Sequence, residues 1–268
     1  MSETKRIRAL ERGLEVMEAL QDRRAASLKD LYESTGLPRP TLIRILHTLE
    51  TAGVVRRSIG DGLYRATYRL QRLAGGGDES DRLADIAAPV IDALCRRLTW
   101  PSDLAVLEPE RRESMILKET SRPTSPIMLN RDRLGYEICM SLSSVGRAYL
   151  AFCPEDERRD IIARLRKSAD PLNRRVGGGR EFQATLDAVR DAGYAVRDPA
   201  FGGGQGQLRN AYDDGLEAMA VPLAGEGKVH GTVSMVWPRK AFTVEAFAAE
   251  HLTALQDAAR EIVVAVET

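Results

Sequence analysis

The chain has 268 residues, 43% of them hydrophobic and 29% charged, which is enough for two domains, each with its own core. With 39 Lys or Arg against 39 Asp or Glu it carries no formal net charge, which excludes a polyanion binder that relies on charge spread over the whole molecule. The charge is unevenly placed: residues 1–77 hold 14 basic against 9 acidic side chains, a balance of +5, and the remainder carries −5. That asymmetry suits a protein in which one end alone meets phosphates.

From Arg8, the spacing of Leu10, Leu14, Met17 and Leu20 predicts an amphipathic helix. Ser27 is placed to cap a second helix, Leu28 to about Ser34, and Gly36 to supply the positive φ of a tight turn. Pro40 suits the first turn of a third helix, in which Leu42, Ile45, Leu46 and Leu49 recur at helical spacing. Val54 to Arg57 and Leu63 to Thr67, around Gly60-Asp61-Gly62, read as a hairpin. Helix, turn, polar-faced helix and basic hairpin in that order describe a winged helix-turn-helix, whose second helix fits a DNA major groove. The candidate DNA-binding residues are Ser27, Arg39, Pro40, Thr41, Arg44 and His47 along the helices, with Arg56, Arg57, Tyr64 and Arg65 on the hairpin to hold phosphates. The plainer alternative is a small helical subdomain with solvated charges.

Three glycines at 75–77 followed by acidic and hydroxyl residues mark a linker, so the expected domains are 1–74, a linker at 75–82, and 83–268. Leu83 to Leu98 predicts a helix stopped by Pro101, and strands are expected at Leu104–Leu107, at Ser114–Lys118 and, extended, at Ser125–Leu129. Helices from Val145, from Glu155 and from Glu181 to Ala192 precede a strand at Tyr194–Val196. Strands at Glu217–Leu223 and Val229–Trp237 and a helix from Phe242 close the chain. Helices interleaved with antiparallel strands predict an α+β sensor fold rather than a parallel sheet.

These residues carry a family resemblance. Arg8-Ala9-Leu10-Glu11-Arg12-Gly13-Leu14, Gly36-Leu37-Pro38-Arg39-Pro40-Thr41, Leu49-Glu50-Thr51-Ala52-Gly53, Val145-Gly146-Arg147-Ala148-Tyr149-Leu150-Ala151 and Ala220-Val221-Pro222-Leu223 resemble the isocitrate lyase regulator (IclR) family of bacterial transcription regulators. The resemblance implies a winged helix-turn-helix joined to a GAF-like antiparallel-sheet effector domain. It implies a homodimer or homotetramer on double-stranded operator DNA, with RNA polymerase a candidate further partner. Gly146 to Cys153 and Val236 to Thr243 look like the branch controlling aromatic-acid catabolism, which makes a small organic acid the expected effector. The implied pocket lies near Leu107, around Met140 to Ser144, and on the paired strands of Ala218 and Ser234. Its candidate residues are Leu107, Met128, Met140, Ser141, Ser143, Ser144, Ala218, Ala220, Ser234 and Val236. Strand alternation puts Ala218 with Ala220 and Ser234 with Val236. Met128, Met140, Met219 and Met235 could form an adaptable wall, Arg131 or Arg133 could pair with a carboxylate, and Trp237, where family members often carry a small residue, could close the pocket.

An enzyme would have to use Cys139 or Cys153 with His230 or His251, and nothing local in sequence activates either thiol. No catalytic residue, cofactor or metal site is expected, since HExxH, CxxC and a P-loop are all missing. An odd set of three distant cysteines, Cys95, Cys139 and Cys153, and no apolar leader at Met1 to Ala9 make the cytoplasm the expected location, away from membranes. A small-molecule sensor that acts through a protein partner instead of DNA is the rival function.

Overall fold

In the computed structural model, which describes residues 7–73, 79–108, 113–127, 134–176, 179–203 and 207–268, contacts divide the chain into a unit Met1–Asp85 and a unit Ile86–Thr268. The first unit begins with α1 (Arg8–Arg23), α2 (Leu28–Thr35) and α3 (Arg39–Thr51). Ser27 caps α2 through a reciprocal box: its hydroxyl accepts from the Asp30 backbone N–H, and its own N–H donates to Asp30 Oδ2 at 2.8 Å. Gly36 ends α2 at φ 65°, the left-handed conformation that a residue with a Cβ resists. Pro40 is the second residue of α3, where its missing N–H costs nothing.

Leu42 and Leu46 join Val16, Leu20, Ala26, Leu31, Leu37 and Val55 in one core cluster. The apolar stripe expected on α1 is only partly inward: Leu20 is buried, whereas Leu10 and Leu14 are 59% and 47% exposed. Core contacts come instead from the C-terminal half, through Val16, Ala19 and Leu20. Strands β1 (Val55–Arg57) and β2 (Tyr64–Ala66) form the wing in antiparallel register, with Arg56 opposite Arg65. After α4 (Tyr68–Leu73), residues 75–78 of the expected linker lie outside the described residues, and 79–82 already belong to α5 (Glu79–Leu98).

In the second unit the strands are β3 (Ser102–Val106), β4 (Ser114–Thr120), β5 (Glu137–Cys139), β6 (Ala195–Val196), β7 (Leu216–Ala224) and β8 (Val229–Pro238). They form one antiparallel sheet in the order β5-β4-β3-β8-β7-β6. Between them run α6 (Ser144–Phe152), α7 (Glu155–Leu165), a short 3-10 turn (Asn173–Val176) and α8 (Arg180–Ala192), and α9 (Val244–Glu267) ends the chain. One face of the sheet, through Ala105, Met115 and Ala220, packs with Val145, Ala148 and Tyr149 of α6. The other face meets α9, where Trp237 stacks on Phe247 at 3.7 Å between ring centroids.

The architecture is therefore an N-terminal helix-turn-helix unit followed by an α+β unit built on an antiparallel sheet. One further expectation is corrected and one element is new. Ser125 to Ile127 bends instead of extending, held by the Ser125 hydroxyl donating to the Thr99 carbonyl at 2.7 Å; residues 128–129 lie outside the described residues. Strand β5 was not expected from its three residues, which are too few to show alternation.

Candidate functional site

Two places combine exposed or buried charge with shape. The first is the outer face of α3 with the wing. With Leu42 and Leu46 turned inward, the 3.6-residue repeat leaves Arg39, Pro40, Ile43, Arg44, His47 and Thr48 exposed on one side, with Thr41 half-buried. The Thr48 hydroxyl donates to the Arg44 carbonyl at 2.8 Å, so it is tied to the helix itself. This helix face presents cations and donors on a rigid element of 13 residues, long enough to lie in a major groove.

The other candidates on this unit have local work to do. Ser27 is committed to its cap. Arg56 forms an ion pair with Asp85 at 2.5 Å, and Asp85 also accepts from the Tyr68 N–H at 2.8 Å. Burial pushes the Asp85 carboxyl above its ordinary value despite that pairing. Arg65 holds Asp61 through two hydrogen bonds of 2.8 and 2.5 Å, bracing the tip of the wing. Arg57 donates to the Gly62 carbonyl at 2.9 Å and lies over the Tyr64 ring, and its residue stays exposed. Tyr64 is half-buried against the core, with its backbone bridged to Ala26. Of the wing cations singled out in sequence, Arg57 is the exposed one.

The second place is a small cavity of about 50 Å³ between the sheet and the start of α6. The register explains its wall: Asp103 lies opposite Ser234, and Ala218 opposite Val236, so all four side chains share the face toward α6. Ser143, Ser144, Ala218, Ser234 and Val236 line it. Leu107, Met140 and Ala220 belong instead to the core cluster under α6. The Ser141 hydroxyl donates to the Leu172 carbonyl at 2.8 Å, and Met128, Arg131 and Arg133 lie outside the described residues. Met219 and Met235 pair with each other across β7 and β8 in the register that alternates with Ala218 and Ser234, which turns them to the opposite face. Trp237 also points away, its indole N–H donating to the Phe242 carbonyl at 3.3 Å, so it does not close the cavity.

The cavity owes its character to charges that the sequence reading missed. Asp103 and Arg122 form a buried fork, with Nη2 to Oδ2 at 2.6 Å and Nε to Oδ1 at 3.1 Å, and the Thr120 hydroxyl adds a bond to Asp103. Burial pulls the Arg122 guanidinium down, but the Asp103 carboxylate more than offsets it and leaves it above its ordinary value. Arg197 reaches the same cavity, donating to Asp214 at 2.9 and 3.0 Å, with Phe201 5.6 Å below its guanidinium. Burial holds Arg197 below its ordinary value. A single Asp ahead of the apolar Leu104-Ala105-Val106, and an Arg just past each of two strand ends, were the available signals.

Neither cysteine singled out is primed as a nucleophile. Burial pushes the Cys139 thiol up and takes Cys153 to about 12. Cys139 contacts Ser141 and Asn173, whereas His230 faces Glu267 and His251 accepts from Trp100 Nε1 at 3.1 Å. Among the described residues no cluster of three or more His, Cys, Asp or Glu could hold a metal, and no helix is long and apolar enough to cross a membrane.

The family model for the IclR helix-turn-helix domain matches residues 9–58, and that for the bacterial transcriptional regulator IclR C-terminal domain matches residues 79–264. The probable HTH-type transcriptional regulator ArcR of Halobacterium salinarum is 24% identical over 99% of this chain and 96% of its own. The DNA-binding transcriptional repressor YiaJ of Escherichia coli is 25% identical over 84% of this chain and 74% of its own. Among solved structures, an IclR homolog complexed with 4-hydroxybenzoate from Microbacterium hydrocarbonoxydans is 25% identical, covers 97% of this chain and 99% of its own, and superposes with a TM-score of 0.52. The IclR of Thermotoga maritima, 19% identical over 98% of this chain and all of its own, shares the fold with a TM-score of 0.54.

Proposed function

The chain belongs to the IclR family of DNA-binding bacterial transcription regulators, and on that premise we propose that a small aromatic acid, bound in the cavity beneath the sheet, sets its affinity for operator DNA. The observation that carries this reading is the pair of guanidiniums, Arg122 and Arg197, in the wall of a cavity that also holds Phe201 and Tyr136. A planar acid needs a guanidinium fork for its carboxylate and aromatic surface for its ring, and these residue types supply both. The 4-hydroxybenzoate bound by the Microbacterium hydrocarbonoxydans homolog belongs to the same chemical class.

At about 50 Å³ the cavity is smaller than the roughly 150 Å³ that encloses a benzene ring, so binding widens it. The carboxylate competes with Asp214 for Arg197, or with Asp103 for Arg122, and side chains at the rim move apart. An effector that prefers the widened state shifts its population, and operator affinity changes by the difference in its affinity for the two states. Arg39, Thr41, Arg44 and His47 of α3 read and grip the groove, while Arg57 of the wing holds a phosphate. The working species is a homodimer or tetramer on a palindromic operator, whose half-sites mirror the two-fold axis.

Thermal unfolding against a panel of aromatic and aliphatic acids tests the effector class. A ligand of the folded state raises the midpoint, by the equivalent of about 2.7 kcal/mol at a hundred times its Kd. The reading expects a rise with 4-hydroxybenzoate or a phenylpropionate that Arg197→Ala reduces. A rise with aliphatic acids alone would remove the aromatic assignment.

A further inference from the structure

We infer that Ile43 is a base-reading residue: its side chain meets the C5-methyl group of a thymine in the major groove. The inference rests on the DNA-binding reading of α3 and names one of the bases that the helix recognises.

Ile43 is 53% exposed, while its neighbours Leu42 and Leu46 are fully buried. It stands four residues after Arg39 and four before His47, so the three form one row on the outer face, with Arg44 beside it. Everything else exposed in that stretch of helix, apart from Pro40, is a cation or a hydroxyl-bearing or ring donor. Isoleucine has no hydrogen bond to offer a phosphate or a base edge, and as a β-branched residue it is a poorer helix former than the lysine or alanine that a solvated position would take. The major groove displays one apolar group, the thymine methyl, and it projects into the same groove as the acceptors that Arg reads on guanine in other base pairs. The other large exposed apolar side chains of this unit lie off α3: Ile7 just before α1, Leu10 and Leu14 on α1, and Tyr32 on α2.

The test uses the full chain. Its preferred duplex is first selected from a randomised pool, and each thymine is then replaced in turn by deoxyuridine, which removes only the methyl group. For the wild-type protein one replacement per half-site should weaken binding about four-fold, the equivalent of one buried methyl-sized group. Ile43→Ala should bind the thymine duplex about four-fold more weakly and show no further loss with deoxyuridine at that position, while Ile43→Val keeps part of the effect. An unchanged melting curve for Ile43→Ala separates this from unfolding. If every deoxyuridine costs the wild type and Ile43→Ala the same, Ile43 reads no thymine and the inference is overturned. If the pool enriches no sequence and affinity does not fall with salt, the DNA-binding reading of α3 itself fails, and the inference falls with it.

Discussion

Individual side chains on the first unit differ in what already holds them, and the proposed DNA contact asks different things of each. Arg44 is exposed on α3 without a side-chain partner among the described residues, whereas Arg65 is committed to Asp61 and Arg56 to Asp85. Arg44→Ala should therefore relax base preference, costing about 5- to 100-fold on the selected duplex and little on random DNA. Arg57→Ala should weaken both duplexes alike and make the salt dependence shallower by about one unit of slope. Binding isotherms at three salt concentrations separate the two; equal losses on selected and random DNA from both variants would remove Arg44 as a base reader. Cations on the wing are visible in sequence, but Asp85, which occupies Arg56, is 29 residues away and carries no local sign of it.

At the scale of elements, α6 is positioned by a close approach. A Cβ on Gly146 would lie 2.2 Å from the Met140 carbonyl oxygen and 2.6 Å from its Cα, so the helix meets backbone that cannot swing aside. Gly146→Ala should destabilise the second unit by about 1–3 kcal/mol and disturb the Ser143 and Ser144 wall of the cavity; chemical denaturation measures the first and effector titration the second. A variant as stable as the wild type would mean that α6 can shift freely. Elements with local signals were legible: Ser27, Gly36 and Pro40 delimit the helices around the turn, and the alternation in β7 and β8 puts Ala218, Ser234 and Val236 on one wall. That alternation also turns Trp237, Met219 and Met235 to the face of α9, away from the pocket they were expected to wall or close. What sequence could not give was long-range pairing. Asp103 with Arg122 and Arg197 with Asp214 meet only after the chain has folded around the sheet, and nothing near any of the four residues announces its partner.

For the molecule as a whole, stability and response to conditions follow from buried charge and aromatic packing. His251 is buried among Trp100, Phe242 and Phe247, accepts a hydrogen bond from Trp100, and has Glu250 as its charged neighbour. Burial holds its pKa below the ordinary 6.5, so the unfolded chain takes up a proton that the folded one resists. Its contribution is intact above pH of about 6.5, and stability is lost as pH falls from there to its lowered folded value. Melting temperatures across that window should fall for the wild type and fall less for His251→Gln; parallel profiles would assign the acid sensitivity elsewhere. Effector binding linked to operator binding, as proposed, makes a quantitative demand. The most direct test is operator binding by the full chain, followed by fluorescence anisotropy at fixed salt as 4-hydroxybenzoate is titrated. If the proposed linkage holds, operator affinity changes by about 5- to 150-fold over the concentrations that raise the melting temperature, and Arg197→Ala blunts both responses. An acid that stabilises the fold while leaving operator affinity unchanged would contradict it.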